Sequence, residues 1–209
     1  MALATMSSTY GADGRYYVAT NPTPGTGIAS LTAPTTYDDT KPFLLINNAH
    51  ASRTLTLDYI KLVCTAPGTA GTALNYVHKI DGVNASRYTS GGSTLSPKNV
   101  NQGSSEASSA VIYCGAIVAI ATSSAARKLG SGVIRPVIPV IGDTYLFTFN
   151  AFFGAGLGGQ AVAGTAIANV IIPSGPILIA PTGWYALHLW LPSQSAASSY
   201  EAEVGFVEA

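Results

Sequence analysis

Charged side chains are scarce in this 209-residue chain, at 10% of residues against about 25% in an average soluble protein. Ten Lys and Arg balance ten Asp and Glu, so the formal net charge is zero. Such a surface creates no broad positive field that would attract nucleic acid or an anionic membrane. It also gives little electrostatic protection against self-association. We therefore expect no nucleic-acid or membrane partner, and we expect a protein that works inside an assembly.

Targeting signals and long apolar runs are also lacking. The N-terminal "MALATMSSTYGADGRYY" has neither the basic start nor the apolar centre of a signal peptide, which favours synthesis in the cytoplasm. The longest apolar run, at 110–121, is shorter than the about 20 residues that span a bilayer. The two cysteines, Cys64 and Cys114, both lie in apolar, strand-like runs. We interpret them as buried free thiols, with a disulfide between paired strands as the alternative.

The three histidines, His50, His78 and His188, are the obvious candidate metal ligands. A zinc site needs three or four ligands and usually a close pair such as HxH or CxxC, whereas these histidines stand apart from one another and from the cysteines. The segment "GAGLGG" at 154–159 matches the dinucleotide-binding fingerprint, but a proline-ended, β-branched run follows it instead of a helix. The sequence therefore predicts no metal and no cofactor, and a flexible loop at 154–159.

Paired carboxylates are the remaining candidates for catalysis. Glu201 and Glu203 share one face of a predicted strand, about 7 Å apart, a spacing that suits glycosidase carboxylates but also any solvent-facing strand. Asp38 and Asp39 are adjacent, so they point in opposite directions on an extended chain. No serine stands in a GxSxG motif. We therefore expect that the chain is not an enzyme.

Alternating apolar residues and turn residues recur along the chain, and no segment has the periodicity of an amphipathic helix. The segment "RTLTLDYIKLVCTA" at 53–66 alternates with Leu55 and Leu57 on one face and Ile60 and Leu62 on the other, and "DTYLFTFNAFF" at 143–153 also alternates. These patterns predict an all-β, two-sheet antiparallel β-sandwich, with jelly-roll topology as the preferred form.

Three further segments refine this prediction. The run "AVIYCGAIVAIAT" at 110–122 is interpreted as one apolar strand, although its length also allows a buried helix. Two prolines place "VIRPVIPVIG" at 133–142 on a sheet edge or at a bulge, because proline cannot donate a hydrogen bond to a ladder. The polar stretch 85–110 is expected to be a long loop.

Residues 1–40 are rich in Gly, Pro, Ser and Thr, which predicts an extended N-terminal arm with one short strand near Tyr16–Thr20, ahead of a β-sandwich domain at 41–209. An arm of this kind becomes ordered against a partner. Its tyrosines Tyr10, Tyr16, Tyr17 and Tyr37 are therefore candidate protein contacts, and a chain without the arm is expected to keep its sandwich.

The segment "GWYALHLWLP" at 183–192 separates into two faces. Tyr185, Leu187, Leu189 and Leu191 form the expected core face, and the opposite face carries Trp184, His188 and Trp190. The strand that follows is expected to pair with it as a hairpin and to set its glutamates beside His188. Since two exposed tryptophans would form a large apolar patch, we predict that Trp184, His188 and Trp190 contact another sheet or another chain.

The closing segment "PSGPILIAPTGWYALHLWLPSQSAASSYEAEVGFVE", together with the low charge and the Gly/Ser/Thr/Pro-rich arm, resembles the jelly-roll capsid decoration (cement) proteins of tailed bacteriophages. The resemblance implies a non-enzymatic virion structural protein, present as a homotrimer on the outer capsid surface and bound to the major capsid protein. Its terminal strands also look like those of head- or tail-fibre modules that bind a host receptor or glycan, and this function is the alternative.

Overall fold

The structure, a computed structural model, describes residues 6–30, 35–82, 86–149 and 167–209. Within these ranges the chain forms one short helix and fourteen strands. In chain order they are α1 (Met6–Ala12), β1 (Tyr16–Thr20), β2 (Ile28–Ala29), β3 (Leu44–Asn48), β4 (Leu55–Ala66), β5 (Leu74–Asp81), β6 (Tyr88–Leu95), β7 (Pro97–Asn99), β8 (Ala110–Ala119), β9 (Arg127–Arg135), β10 (Thr144–Thr148), β11 (Asn169–Pro173), β12 (Ile177–Ile179), β13 (Trp184–Trp190) and β14 (Ser199–Glu208).

The strands form two sheets that pack face to face, which confirms the prediction of an all-β, two-sheet sandwich. Sheet A has the order β11-β10-β4-β14-β1-β7, with β12 pairing to β4 and β2 pairing to β14. Sheet B has the order β6-β8-β3-β13-β5-β9. Strands β10 and β11 run parallel, and the other named pairs are antiparallel.

One hydrophobic core fills the space between the sheets. The predicted core face of β13 contributes to it, and so do alternate residues of β14. Both cysteines are buried in this core as free thiols, Cys64 in sheet A and Cys114 in sheet B, as predicted. The largest contributors from the final strands are Tyr185, Leu187, Leu189, Tyr200, Val204 and Phe206.

Strands β13 and β14 do not pair with each other, so the expected hairpin is wrong. Strand β13 lies between β3 and β5 in sheet B, whereas β14 lies between β4 and β1 in sheet A. The loop between them crosses from one sheet to the other. Because both strands have an apolar face, this crossing places the two faces opposite each other across the core, where both exclude water.

Strand β4 changes the phase of its alternation at Asp58. Leu55 and Leu57 are fully buried, and so are Ile60 and Leu62, which the strict period of two had assigned to the opposite face. The register against β14 shifts at this point, because Gly205 pairs with Tyr59 and Phe206 pairs with Leu57. Asp58 is therefore the extra residue of a β-bulge, and the bulge turns both apolar pairs toward the core.

Three other segments show how far the sequence prediction held. Most of the run at 110–122 forms strand β8, as expected. The proline-containing segment 133–142 begins within the edge strand β9, which ends at Arg135, directly before Pro136. The stretch 85–110 was expected to be a loop, but its described part contains strands β6 and β7. Gly91 and Gly92 adopt positive φ in β6, and the pairing of β6 with β8 is irregular. The sequence of β6 therefore shows no regular alternation of apolar and polar residues from which a strand could be predicted.

The predicted short strand of the N-terminal arm is present and lies inside sheet A. Strand β1 pairs with β14 on one side and with β7 on the other. Tyr17 is buried in the core, where its ring stacks on Phe206 with 5.6 Å between the ring centroids. This part of residues 1–40 therefore contributes to the sandwich of its own chain.

A buried ion pair joins the edge of sheet B to sheet A. The Arg135 and Asp143 side chains contact each other and have no exposed surface. The Asp143 carboxylate also accepts hydrogen bonds from the Tyr145 hydroxyl at 2.8 Å and from the backbone N–H groups of Val140 and Ala168, each at 2.7 Å. These bonds fix the turn before β10 and the start of β11.

Replacing Asp143 with Ala should lower the free energy of unfolding by about 3–5 kcal/mol, because the fully buried Arg135 guanidinium would lose the carboxylate that it contacts. Urea denaturation at neutral pH measures the loss. The control is Glu106→Ala, which breaks the exposed ion pair between Arg53 and Glu106 and should cost less than about 1 kcal/mol. Equal losses in the two variants would contradict this account.

Candidate functional site

The outer face of sheet B brings together three of the residues that the sequence predicts as protein contacts. The Tyr37 ring lies edge-on against His188, with 5.2 Å between centroids, and against Trp190, with 5.8 Å. Tyr37 belongs to residues 35–41, which we call the covering segment because they lie over this face. The Trp/His face thus contacts a segment of its own chain.

Asp39 holds the covering segment in place. Its carboxylate accepts hydrogen bonds from the Thr122 backbone N–H at 2.5 Å, the Thr122 hydroxyl at 2.6 Å, the Tyr37 hydroxyl at 2.5 Å and the Lys79 ammonium at 2.9 Å. Burial by itself raises the pKa of Asp39, but these hydrogen bonds outweigh burial and hold the pKa well below its usual range. The carboxylate is therefore ionised across the physiological pH range.

His188 lies beneath the covering segment and is 2% exposed. Its Nε2 is 3.4 Å from the Asp39 carbonyl oxygen and 3.8 Å from the Asp39 carboxylate, so its acidic neighbour is Asp39 and not a glutamate of β14. Burial lowers the pKa of His188 to about 4, although Asp39 partly opposes this shift. The imidazole is neutral at pH 7 and serves as a packed ring.

Trp184 lies at the other end of the same face, in a second hydrophobic cluster with Leu45, Ile117 and Ala186. A buried ion pair between Arg87 and Asp81, at 3.0 Å, lies at this end of the sheet. Asp81 also accepts hydrogen bonds from the Ser123 backbone N–H and hydroxyl, each at 2.8 Å, while the Arg87 guanidinium donates to backbone carbonyls in the loop after β8. The loop after β8 is thereby fixed at this end of the face.

The four predicted contact tyrosines differ in what they expose. Tyr16 and Tyr17 are buried within sheet A, at 3% and 1% exposure, so their surfaces are occupied by their own chain. Tyr10 is half-buried in α1, and Tyr37 is 37% exposed on the covering segment. Of the predicted residues, Tyr10, Tyr37 and half-buried Trp190 therefore keep surface that a partner could contact.

Two other groups with catalytic potential, His78 and the Cys64 thiol, are packed in the interior. His78 is buried among the rings of Phe147, Phe149 and Tyr185, and burial lowers its pKa to about 4. Burial raises the pKa of the Cys64 thiol to about 12. Within the described ranges, no three His, Cys, Asp or Glu side chains are arranged to hold a metal ion. The "GAGLGG" segment at 154–159 lies outside the described residues.

Sequence reasoning missed the residues that attach the covering segment. It treated Asp38 and Asp39 only as an unproductive pair, and the structure confirms that they point to different partners: Asp38 bonds to Thr40 and Lys41, and Asp39 reaches Thr122 and Lys79. Thr122 and Lys79 are remote in sequence, so no local pattern links them to Asp39. The one available signal was the aromatic outer face of β13, which would form a large apolar patch in water unless another segment packed against it.

Neither a scan against models of known protein families nor a search among curated proteins finds a match to this chain. Among the described residues, no helix has the length and apolar character required to cross a membrane.

Replacing Asp39 with Ala should detach the covering segment, because its four hydrogen bonds and the ion pair with Lys79 are lost together. We expect a loss of about 2 kcal/mol in unfolding free energy and greater quenching of tryptophan fluorescence by acrylamide, as Trp190 becomes exposed. The matched control is Asp38→Ala, whose partners Thr40 and Lys41 belong to the same segment. Unchanged quenching in Asp39→Ala would show that the segment is held by other contacts.

Acidification should destabilise the fold through His78 and His188. The unfolded chain binds protons at these residues near pH 6.5, whereas the folded chain binds them only near pH 4, so stability falls as the pH drops between these values. The expected loss from pH 6.5 to 5 is about 1.5 kcal/mol for each histidine, measured by urea denaturation across the pH series. The His188→Gln variant should lose about half of this pH dependence, and an unchanged slope would contradict the assignment.

Proposed function

We propose that this chain is a non-enzymatic virion structural protein of the capsid decoration type, which binds the major capsid protein on the outer capsid surface and stabilises the shell. The proposal takes its partner, its homotrimeric state and its location on the virion from the resemblance of the closing segment to such proteins. The fold and surface of the described residues support a protein that acts by association.

The observation that carries the proposal is where the few charged side chains lie. Two ion pairs, Arg87–Asp81 and Arg135–Asp143, are buried, and they remove four of the twenty charged residues from the outer surface. A third pair, Lys79–Asp39, joins the covering segment to sheet B and is about one-fifth exposed. Large aliphatic side chains remain exposed instead, namely Val100, Val118, Ile120, Leu129, Val133, Ile141, Ile167 and Leu178. A surface with so few charges and so many aliphatic groups favours contact with another protein.

The burial of His78, His188 and both thiols also supports a non-enzymatic role. His78 and His188 are neutral packed rings, and both thiols are buried and protonated at pH 7. Buried groups of this kind do not reach a substrate, whereas the exposed aliphatic side chains are available to a lattice of capsid subunits.

The test is the location of the chain in virus particles from the source of this sequence. We expect mass spectrometry of purified particles to find it in a fixed ratio to the major capsid protein, and particles that lack it to lose their contents at a lower temperature. Immunogold labelling should mark the capsid surface. The isolated protein should have three times the monomer mass of 21.4 kDa by light scattering.

Labelling confined to the tail or to fibres would contradict the decoration function and favour the alternative, a fibre module that recognises a host receptor. Absence of the chain from purified particles would reject both functions. A monomeric mass in solution would remove the homotrimer from the proposal.

A further inference from the structure

The outer face of sheet A carries a cavity that the proposed function does not use. It has a volume of about 270 Å³ and lies where β1 and its following loop meet β14 and β4. The pairing of β14 with β4 determines which side chains are neighbours in this cavity: Glu203 lies beside Lys61, and Glu201 lies beside Val63. The lining residues are Thr20, Asn21, Pro24, Lys61, Val63, Glu201, Ala202 and Glu203.

The Glu203 carboxylate is held in one position by two neighbours. The Tyr59 hydroxyl donates a hydrogen bond to its Oε1 at 2.6 Å, and the Lys61 ammonium lies 3.5 Å from its Oε2. Tyr59 can reach Glu203 because residue 205 is glycine: a Cβ there would lie 2.3 Å from Tyr59 Cε1. The Tyr59 ring therefore lies over the backbone of β14, beside the carboxylate.

Glu201 is held in a similar way at the other side of the cavity. Its carboxylate accepts a hydrogen bond from the Gly25 backbone N–H, in the loop that carries Pro24. Asn21 fixes that loop, since its side-chain N–H donates to the Thr26 carbonyl at 2.8 Å and its side-chain oxygen accepts from the Ala202 N–H at 3.0 Å. Two carboxylates, one ammonium group and an apolar wall are thus preorganised in one cavity.

A second cavity, of about 330 Å³, adjoins the Tyr59 side of this arrangement. It is lined by Asp58, Tyr59, Leu146 and Thr148. Tyr59 lines the second cavity while its hydroxyl binds a carboxylate of the first. The lining residues of the two cavities lie on β14, β4 and β10 of sheet A, and the contact between Tyr59 and Glu203 connects them.

We propose that this outer face of sheet A binds a saccharide of the neutral or amino-substituted class. Sugar hydroxyl groups require fixed acceptors and donors, which Glu201, Glu203 and Lys61 supply as charge-assisted partners. The C–H surfaces of a sugar ring pack on apolar walls, which the Tyr59 ring and Pro24 supply. Two carboxylates against one ammonium group disfavour acidic sugars by charge repulsion. This inference is independent of the capsid proposal, because it rests on sheet A alone.

The test uses two related probes on the full chain, chitotetraose and its deacetylated, positively charged counterpart, with an oligogalacturonate as the acidic contrast. Titration followed by amide NMR should give saturable shifts at Lys61, Glu203 and Gly205 with at least one of the first two probes, and none with the acidic one. The affinity should be weak, with a Kd of about 1 mM or tighter.

Variants separate a specific site from unspecific sugar binding. Glu203→Gln keeps the size of the side chain and should weaken binding about tenfold, because a charge-assisted hydrogen bond becomes neutral. Tyr59→Phe keeps the ring but releases the carboxylate and should weaken binding by a similar factor. The matched control is Glu106→Gln, a charge-neutralising change outside both cavities, which should bind as the parent does.

Three outcomes would overturn the inference: no saturable shift with either probe at several millimolar, shifts that map to other parts of the surface, or equal loss in Glu203→Gln and the control. Far-UV circular dichroism confirms that each variant is folded, and Tyr59→Phe tests the same contact as Glu203→Gln should the latter not fold.

Discussion

Strand β13 is buried on both faces, and much of the architecture follows from this constraint. Its inner face belongs to the core that the two sheets share, while its outer face carries Trp184, His188 and Trp190. A two-layer sandwich leaves the outer face of each sheet in water, so a strand of this composition requires a third layer. The covering segment and the loop after β8 supply that layer. They are held by side-chain hydrogen bonds to Asp39 and Asp81 and by single backbone bonds, such as the one from the Ala119 N–H to the Thr40 carbonyl.

The two outer faces therefore differ in kind. The outer face of β13 in sheet B is largely apolar and is covered by its own chain, whereas the outer face of sheet A carries carboxylates held by tyrosine hydroxyls and a backbone N–H group. The same N-terminal stretch contributes to both, since β1 enters sheet A and the covering segment crosses to sheet B. The described parts of residues 1–40 thus contact both sheets of the sandwich, a role that composition alone did not reveal.

The sequence predicted the fold class because alternation and turn residues report on local backbone geometry, and the two faces of β13 were read correctly for the same reason. It failed where geometry depends on distant residues. The bulge at Asp58 is defined by the register of β4 against β14. Strand β14 also pairs with β4 and not with β13, so the two final strands belong to different sheets. The contacts of Asp39 with Thr122 and Lys79 join three separate parts of the chain, so local patterns identified the aromatic residues of the face but not what covers them.

The pairing of β1 with β14 also bears on how the chain folds as it is synthesised. Tyr16 pairs with Val207, and the same sheet receives β4, β10 and β11 from the intervening sequence. A ribosome releases β1 long before its main partner exists, so sheet A is completed only after almost all of the described chain has emerged. Contacts of such sequence separation make folding slow, and they leave strand edges and apolar faces unpaired meanwhile. Protection of the nascent chain from aggregation is therefore a requirement that this topology imposes on the cell that produces it.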